Sequence, residues 1–572
     1  MEKSIFICFS EIIKKFCRKV ENVPGKIPEL IASITYIFTH LFMAFVHEPW
    51  FDESVAWQIA RCVSIKDILF EIPHYEGHPP MWHLILAPFA KLGAPYELSL
   101  SIVSLIFAGT ACCLIIYKSP FPRIIRFLLP FTYFFFYQYS VISRPYCIMM
   151  LAFVLLAIAY SKRNTKPGIY VVCLMLLCLS SAYGILMAGG LTIAWILEIW
   201  NRENIFAFIK KMLRDKRTLY LFVLLIFALL LIIGMMPRED TYATTSMSDY
   251  KNIGGFLRCL IYMLFALPAE VCMTNIYNDY QLLKTVAIPW PSLIVTGLIG
   301  ILFWVIVFVW GKRKKTLLTL IVPYTFFAVF AAFVYVYTHH IGIGLLLFVF
   351  WFWISLESSN EDKKAVFEKI PSQIKNVITG VLVLFGSLAM VISLYWNVTT
   401  CIQDVLYSYA TGKHEAQFIK EKGLDNYTIM VSWSVHYDEN GEVEKMDVNH
   451  ANCADNIAPY FDRNIFFNFN GGEDDVNYST HKWADEKATE EIISKWQKTK
   501  PDVLYMYPDI TLIYEDIDPY EYKLVYSEKN YNLWKGFVDY GDSKIYVHQD
   551  VVDELNLETL KNETYGRMSL YQ

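Results

Sequence analysis

Apolar stretches of bilayer-spanning length recur from Ile27 to Trp396, each closed by basic or turn-forming residues. A helix of about 20 residues crosses the ~30 Å hydrocarbon core, and in lipid every backbone N–H and C=O must be satisfied within the protein. Such a chain is committed to a bundle of membrane helices. Its 55% hydrophobic content over 572 residues and mean hydropathy of +0.34 exclude an ordinary soluble protein. The net charge of -5 says little about partners, and no basic patch points to nucleic acid.

The order of charges sets the topology. Met1–Gly25 is amphipathic, carries Lys14, Lys15, Arg18 and Lys19, and lacks the small-residue cleavage site of a signal peptide. It reads as a retained cytoplasmic or interfacial segment. The first span, Ile27–Val46, leads outward to a loop, Glu48–Pro80, followed by the short apolar helix Met81–Leu92 of juxtamembrane or re-entrant type. Further spans are read at Leu98–Tyr117, Phe127–Ile142, Tyr146–Tyr160, Ile169–Ser181, Ile185–Trp200, Leu219–Met236, Leu293–Trp310, Leu317–Tyr337, Ile341–Leu356 and Val377–Trp396. The basic loops Lys118 to Arg126, Lys162 to Lys166, Lys210 to Arg217 and Lys312 to Lys315 all fall on one side, as the positive-inside bias requires. The result is about eleven spans, with the N-terminus inside and the C-terminus outside. Phe256–Val271, which carries Arg258 and Pro268-Ala269-Glu270, stays open between a re-entrant helix and one arm of an additional pair of spans.

From about Ile402 the apolar runs stop. The division is an N-terminal segment, 1–26, a transmembrane domain, 27–401, and an extracytoplasmic soluble α/β domain, 402–572. Helix Glu415–Lys422 precedes strand Tyr427–Trp433, and helix Asp485–Gln497 precedes strand Val503–Tyr507, the alternation of an α/β unit. No glycine-rich phosphate loop accompanies it. Of twelve cysteines, Cys401 with Cys453 is the one pair to test for a bridge. Asn397, Asn426, Asn477 and Asn562 stand in Asn-x-Ser/Thr sequons, tripeptides that often arise by chance.

Ionisable residues gather at the outer ends of the spans, where a charge beside lipid is costly and marks function. Asp52 and Glu53 diverge by about 100° on a helix, so they suit different tasks; the alternative is that they cap the helix beginning near Ser54. His78 enters the next helix through Pro79 and Pro80, and reads either as a site group or as an interfacial histidine beside Trp82 and His83. Arg144, with Tyr146 close behind, suits bidentate contact with a phosphate and stands against the positive-inside bias; the alternative is a snorkelling anchor. His339 and His340 fill a short outer turn, fit to meet a lipid head group or only to turn the chain, and two histidines alone are a weak metal signal. His74, Glu76, Arg258 and Glu270 are lesser candidates.

The pair Asp52-Glu53, the stretch Glu76-Gly77-His78-Pro79-Pro80 and the loop Ser143-Arg144-Pro145-Tyr146 resemble the C-class (GT-C) integral-membrane glycosyltransferases. Within that class the resemblance is to bacterial relatives of protein O-mannosyltransferases and aminoarabinose transferases. It covers about Ile31–Trp200, extends loosely to Trp396 and leaves the soluble domain unassigned. It implies a GT-C-like helical bundle with juxtamembrane helices in the first external loop. It also implies a polyprenyl-phosphate sugar as donor and an envelope glycan, lipid or protein as acceptor, at the outer face of the plasma membrane. By the same resemblance, Asp52 aligns with the acid proposed as general base, and Glu53 and His78 support it or contact the sugar. Arg144, Tyr146, His339 and His340 would hold the donor phosphate. Many members carry another acid just after the arginine, whereas Pro145-Tyr146-Cys147 follows here; this favours a metal-independent mechanism and leaves a divalent metal open. No resident cofactor is implied.

Two other readings stand beside this one. A transporter or flippase for lipid-linked glycans predicts charges near span midpoints and inverted repeats; His40 is the main such residue, and no repeat is seen. A catalytically inactive scaffold presenting the C-terminal domain leaves the first-loop acids unexplained.

Overall fold

The computed structural model describes residues 5–200, 204–241, 253–276, 290–358, 372–438, 440–449, 451–470 and 477–560. Seven helices among them are long and apolar enough to cross a membrane: Tyr96–Lys118, Ala182–Trp200, Lys216–Gly234, Ile253–Glu270, Ile294–Lys314, Thr338–Glu357 and Val377–Leu406. Ile27–Met43, Tyr146–Tyr160, Pro167–Cys178 and Leu317–Phe333 are apolar but shorter. The protein is mostly helical, with the repeated apolar helices of a multi-pass membrane protein. Small residues let these helices approach closely. At Gly190, for example, an added Cβ would fall 2.4 Å from Cα of Pro323 on the facing helix.

Two segments depart from the sequence reading or add to it. The expected span Phe127–Ile142 is broken into a helix, Arg123–Leu128, a 3-10 turn, Leu129–Phe131, and a π-helix, Phe134–Val141. Pro130 has no N–H to continue the α-helical ladder, and the wider turns that follow present Ser140 to its neighbours. Its carbonyl accepts from Ser104 Oγ (2.6 Å), and its hydroxyl pairs with Tyr36 (2.8 Å) and with His40 Nδ1 (2.9 Å). His40 Nε2 meets the Ser101 carbonyl at 3.1 Å, so this deep histidine is held by packing partners at both nitrogens. Ile253–Glu270 is one helical run interrupted by a π-turn at Tyr262–Ala266. Phe256 near its start packs on Phe333 with ring centroids 4.6 Å apart.

The C-terminal region holds a four-stranded sheet. β1 (Ile429–Val431) and β4 (Val503–Tyr505) are parallel, and β6 (Phe537–His548) joins β4 and β5 (Tyr522–Trp534) antiparallel, in the order β1-β4-β6-β5. A separate hairpin pairs β2 (Ser434–Tyr437) with β3 (Val443–Asp447). Helices Gly412–Lys422 and Glu486–Trp496 precede β1 and β4, matching the alternation read from sequence. The long β5–β6 hairpin was not foreseen. It turns on Lys535 and Gly536, both at positive φ (48° and 82°), as a two-residue type I′ turn requires.

That hairpin tip is driven into the helical bundle. Trp534 packs on Tyr133 and Phe134, with centroids 5.6 and 6.0 Å apart, and donates from Nε1 to Asn275 (3.2 Å). Lys535 Nζ lies 3.0 Å from Glu270 Oε1, both side chains essentially without solvent contact (0% and 1% exposed). Cys401 and Cys453, the pair singled out for testing, form no bridge. Cys401 Sγ faces Asn397 Oδ1 (3.8 Å), Cys453 Sγ faces the Ser432 carbonyl (3.6 Å), and both thiols are free. Among the sequons, Asn397 and Asn477 are buried and Asn426 is exposed; Asn562 lies outside the described residues.

Candidate functional site

The site begins where helix Ile27–Met43 ends and helix Phe51–Cys62 starts. Glu53 caps the second helix, its Oε2 accepting the Trp50 backbone N–H at 3.2 Å. The other oxygen accepts the Ser143 N–H at 2.6 Å, and His47 Nε2 lies 3.3 Å from Oε2. His47 continues to Asp404 (2.9 Å), which also accepts from Tyr137 (3.1 Å). Burial alone would lower the His47 pKa, but Asp404 and then Glu53 outweigh it and lift it to about 10, so this imidazole is cationic. Glu53 is fully enclosed (0% exposed) and ties three chain segments together.

Asp52, one residue earlier, faces the other way. Its side chain keeps 23% exposure, with Oδ2 3.3 Å from Arg144 Nη2, while Nη1 donates to the Asp52 carbonyl at 2.7 Å. Burial raises the Asp52 pKa, and Arg144 opposes the rise. The helical turn therefore separates the acidic pair into an enclosed structural carboxylate and one that fronts the site.

Around Asp52 and Arg144 stand polar atoms with no protein partner among the described residues: His78 Nδ1, His83 Nδ1, Arg144 Nε and the Tyr146 hydroxyl. Burial, joined for both rings by the nearby Arg144 charge, drives His78 and His83 down to about 4, so both are neutral near pH 7. His339 borders the same space, 6.0 Å from Tyr146 and 6.3 Å from Trp50 between ring centroids. His340 is turned to another task. Its Nδ1 accepts the Tyr337 N–H at 2.9 Å and caps the short turn. The structure thus brings Asp52, His78, Arg144, Tyr146 and His339 together, and uses Glu53 and His340 to hold the backbone around them.

One member was missed in the sequence. Residues 477–483 of the C-terminal region lie against the first loop, with Gln58 Nε2 donating to the Asn477 carbonyl (2.9 Å), and against the segment after helix Lys216–Gly234, with Trp483 N–H donating to the Asp240 carbonyl (2.7 Å). His481, at φ 51°, places Nδ1 2.6 Å from Glu76 Oε1. Burial by itself would raise Glu76, yet His481 pulls it to about 2; burial would lower His481, yet Glu76 lifts it to about 9. The pair is ionic. Nothing in the string around His481 marks it as a site residue, because its role comes from long-range docking.

The donor set does not suit a divalent cation. Asp52 is opposed by a guanidinium and Glu76 by an imidazolium, and among the described residues no three His, Cys, Asp or Glu side chains converge as ligands. What the arrangement offers instead is a carboxylate of raised pKa, a fixed guanidinium and neutral hydrogen-bonding groups, suited to an anionic, hydroxyl-bearing ligand. Comparison with protein-family models, with curated proteins and with solved structures yields no match.

Proposed function

We propose that this protein is a membrane glycosyltransferase that moves a sugar from a polyprenyl-phosphate carrier to an acceptor at the end of the bundle bearing the C-terminal domain. The observation that carries the reading is the ring of unpartnered polar atoms on His78, His83, Arg144 and Tyr146 beside the Asp52 carboxylate. Buried polar atoms without partners are costly, so a group of them around one carboxylate and one guanidinium calls for a ligand rich in oxygen acceptors and hydroxyls.

In this reading Asp52 takes the proton of the acceptor hydroxyl as its oxygen bonds to the anomeric carbon from the face opposite the phosphate. The carbon–oxygen bond to the carrier phosphate breaks, its electron pair leaves with the phosphate, and the anomeric centre inverts. Arg144 offers Nε to the departing anion while its two terminal nitrogens hold Asp52. Burial that raises the Asp52 pKa makes it a stronger base. Neutral His78 and Tyr146 bind the sugar and phosphate oxygens, and Glu53 keeps the loop in register.

The test is mass spectrometry of envelope glycans and lipid-linked intermediates from cells carrying the wild type, no copy, or Asp52→Asn. The expected result is loss of one hexose or pentose from the envelope and build-up of its polyprenyl-phosphate form in the latter two. Unchanged glycans and carriers in all three would overturn the proposal, and altered carrier distribution across the bilayer without loss of transfer would favour a flippase.

A further inference from the structure

Helices Ile27–Met43 and Tyr96–Lys118 run antiparallel, linked where His40 meets the Ser101 carbonyl. Away from that link, toward the end remote from the C-terminal domain, one face of the second helix, from Leu105 through Gly109, Leu114 and Tyr117 to Lys118, lines an open groove of about 560 Å³ with Ile37 of the first helix at its edge. Thr110 Oγ1 is turned back onto the Ile106 carbonyl (2.5 Å) and Tyr117 stands beside Lys118 at the groove's end, so between Leu105 and Leu114 the wall is apolar apart from the Cys113 thiol. From Leu105 to Lys118 the helix rises about 20 Å, about two thirds of a ~30 Å hydrocarbon core. The groove is at least one leaflet deep.

At its end stands an unengaged cation. Lys118 is exposed and has no ion-pair partner among the described residues. Its neighbours are occupied: Arg123 Nε donates to Glu29 (2.8 Å) and Arg126 Nη1 to the Ile116 carbonyl (2.9 Å). An apolar channel of leaflet length closed by a free lysine matches a lipid whose charge is negative and whose tail is a hydrocarbon.

We propose that this groove binds one acyl chain of an anionic phospholipid, with Lys118 on its phosphate. The site is separate from the Asp52 centre and does not depend on any transfer activity.

The full-length protein in detergent, titrated with palmitoyl-chain phosphatidylglycerol or phosphatidylcholine and read by native mass spectrometry, tests this. One phosphatidylglycerol is expected to bind about fivefold more tightly than phosphatidylcholine, the factor one lysine contributes toward an anionic lipid. Lys118→Glu, a change on the exposed surface, is expected to abolish that preference, and Lys118→Arg to keep it. Gly109→Leu fills the groove from its floor; a Cβ there meets only the Leu105 side chain, 3.1 Å from Cδ1 and 3.7 Å from Cγ. This variant is expected to lose the bound lipid at an unchanged melting temperature. Equal affinity for the two lipids in the wild type, or full phosphatidylglycerol binding by Gly109→Leu, would overturn the proposal. So would a dimer mass that disappears in Gly109→Leu, which would assign the groove to a second copy of the chain.

Discussion

His481 places its Nδ1 2.6 Å from Glu76 Oε1 across 405 positions of chain, so the C-terminal region supplies one charge of the candidate site. Replacing His481 with Gln removes that charge and leaves Glu76 partly enclosed without its partner. A loss of about 1.5–3 kcal/mol is expected, the scale of a hydrogen bond to a charged group. Thermal unfolding followed by tryptophan fluorescence measures it, and an unchanged melting temperature would count against the pair.

The same pair sets a pH signature. Glu76 is pulled from 4.5 to about 2, so its contribution is complete above pH 4.5 and is lost as pH falls through about 2. His481 is lifted from 6.5 to about 9, so its contribution is complete below pH 6.5 and is lost as pH rises through about 9. The stability gap between wild type and His481→Gln is therefore expected to be widest between about pH 4.5 and 6.5. A gap that widens from pH 7 to 9.5 would contradict the assignment.

Asp52 and Glu53 should separate cleanly by variant. Asp52→Asn keeps shape and volume, and is expected to lower transfer by 10²–10⁴-fold, the range for a positioned base, with little change in melting temperature. Glu53→Ala instead leaves His47 with Asp404 alone and strands two backbone donors, and is expected to cost about 2–6 kcal/mol of stability, about 1–3 for each stranded donor. Similar losses of stability in both would erase the distinction.

Arg144→Lys retains the charge but not the planar fork that holds Asp52 and, under the proposed function, a phosphate together. Transfer is expected to fall by about 10²–10³-fold, as for loss of one oriented donor to a developing anion. Parity with wild type in a carrier-to-acceptor assay would remove Arg144 from the site.

Much of this was legible from local pattern. The apolar runs declare membrane helices, and the charge pattern predicts Asp52, His78, Arg144 and His339 on one face; the structure sets these four side chains near one another. The divergence of Asp52 from Glu53 also follows from helical geometry. What escaped was non-local. The π-helix at Phe134–Val141 is met by two neighbouring helices, one offering Tyr36 and His40 and the other Ser104, and no residue type announces it. His481 and Lys535 lie in strands and loops of ordinary composition, and each acquires its meaning from a carboxylate in the helical bundle.

Lys535 and Glu270 provide a further test. Lys535→Met leaves an enclosed carboxylate unpaired and is expected to cost about 3–5 kcal/mol, whereas Lys535→Met with Glu270→Gln is expected to recover most of it. Additive losses in the double variant would show that the two residues act independently.

Glu270 is made 265 residues before Lys535. At 5–20 residues per second, that carboxylate waits roughly 13–50 s for its cation, and it stays unpaired until the final hairpin has been synthesised and docked. A ribosome that stops early, or a protease that trims the tail, leaves the acid exposed within the bundle. A copy that lacks the inserted hairpin thereby differs from a finished one by an acid without its cation inside the bundle.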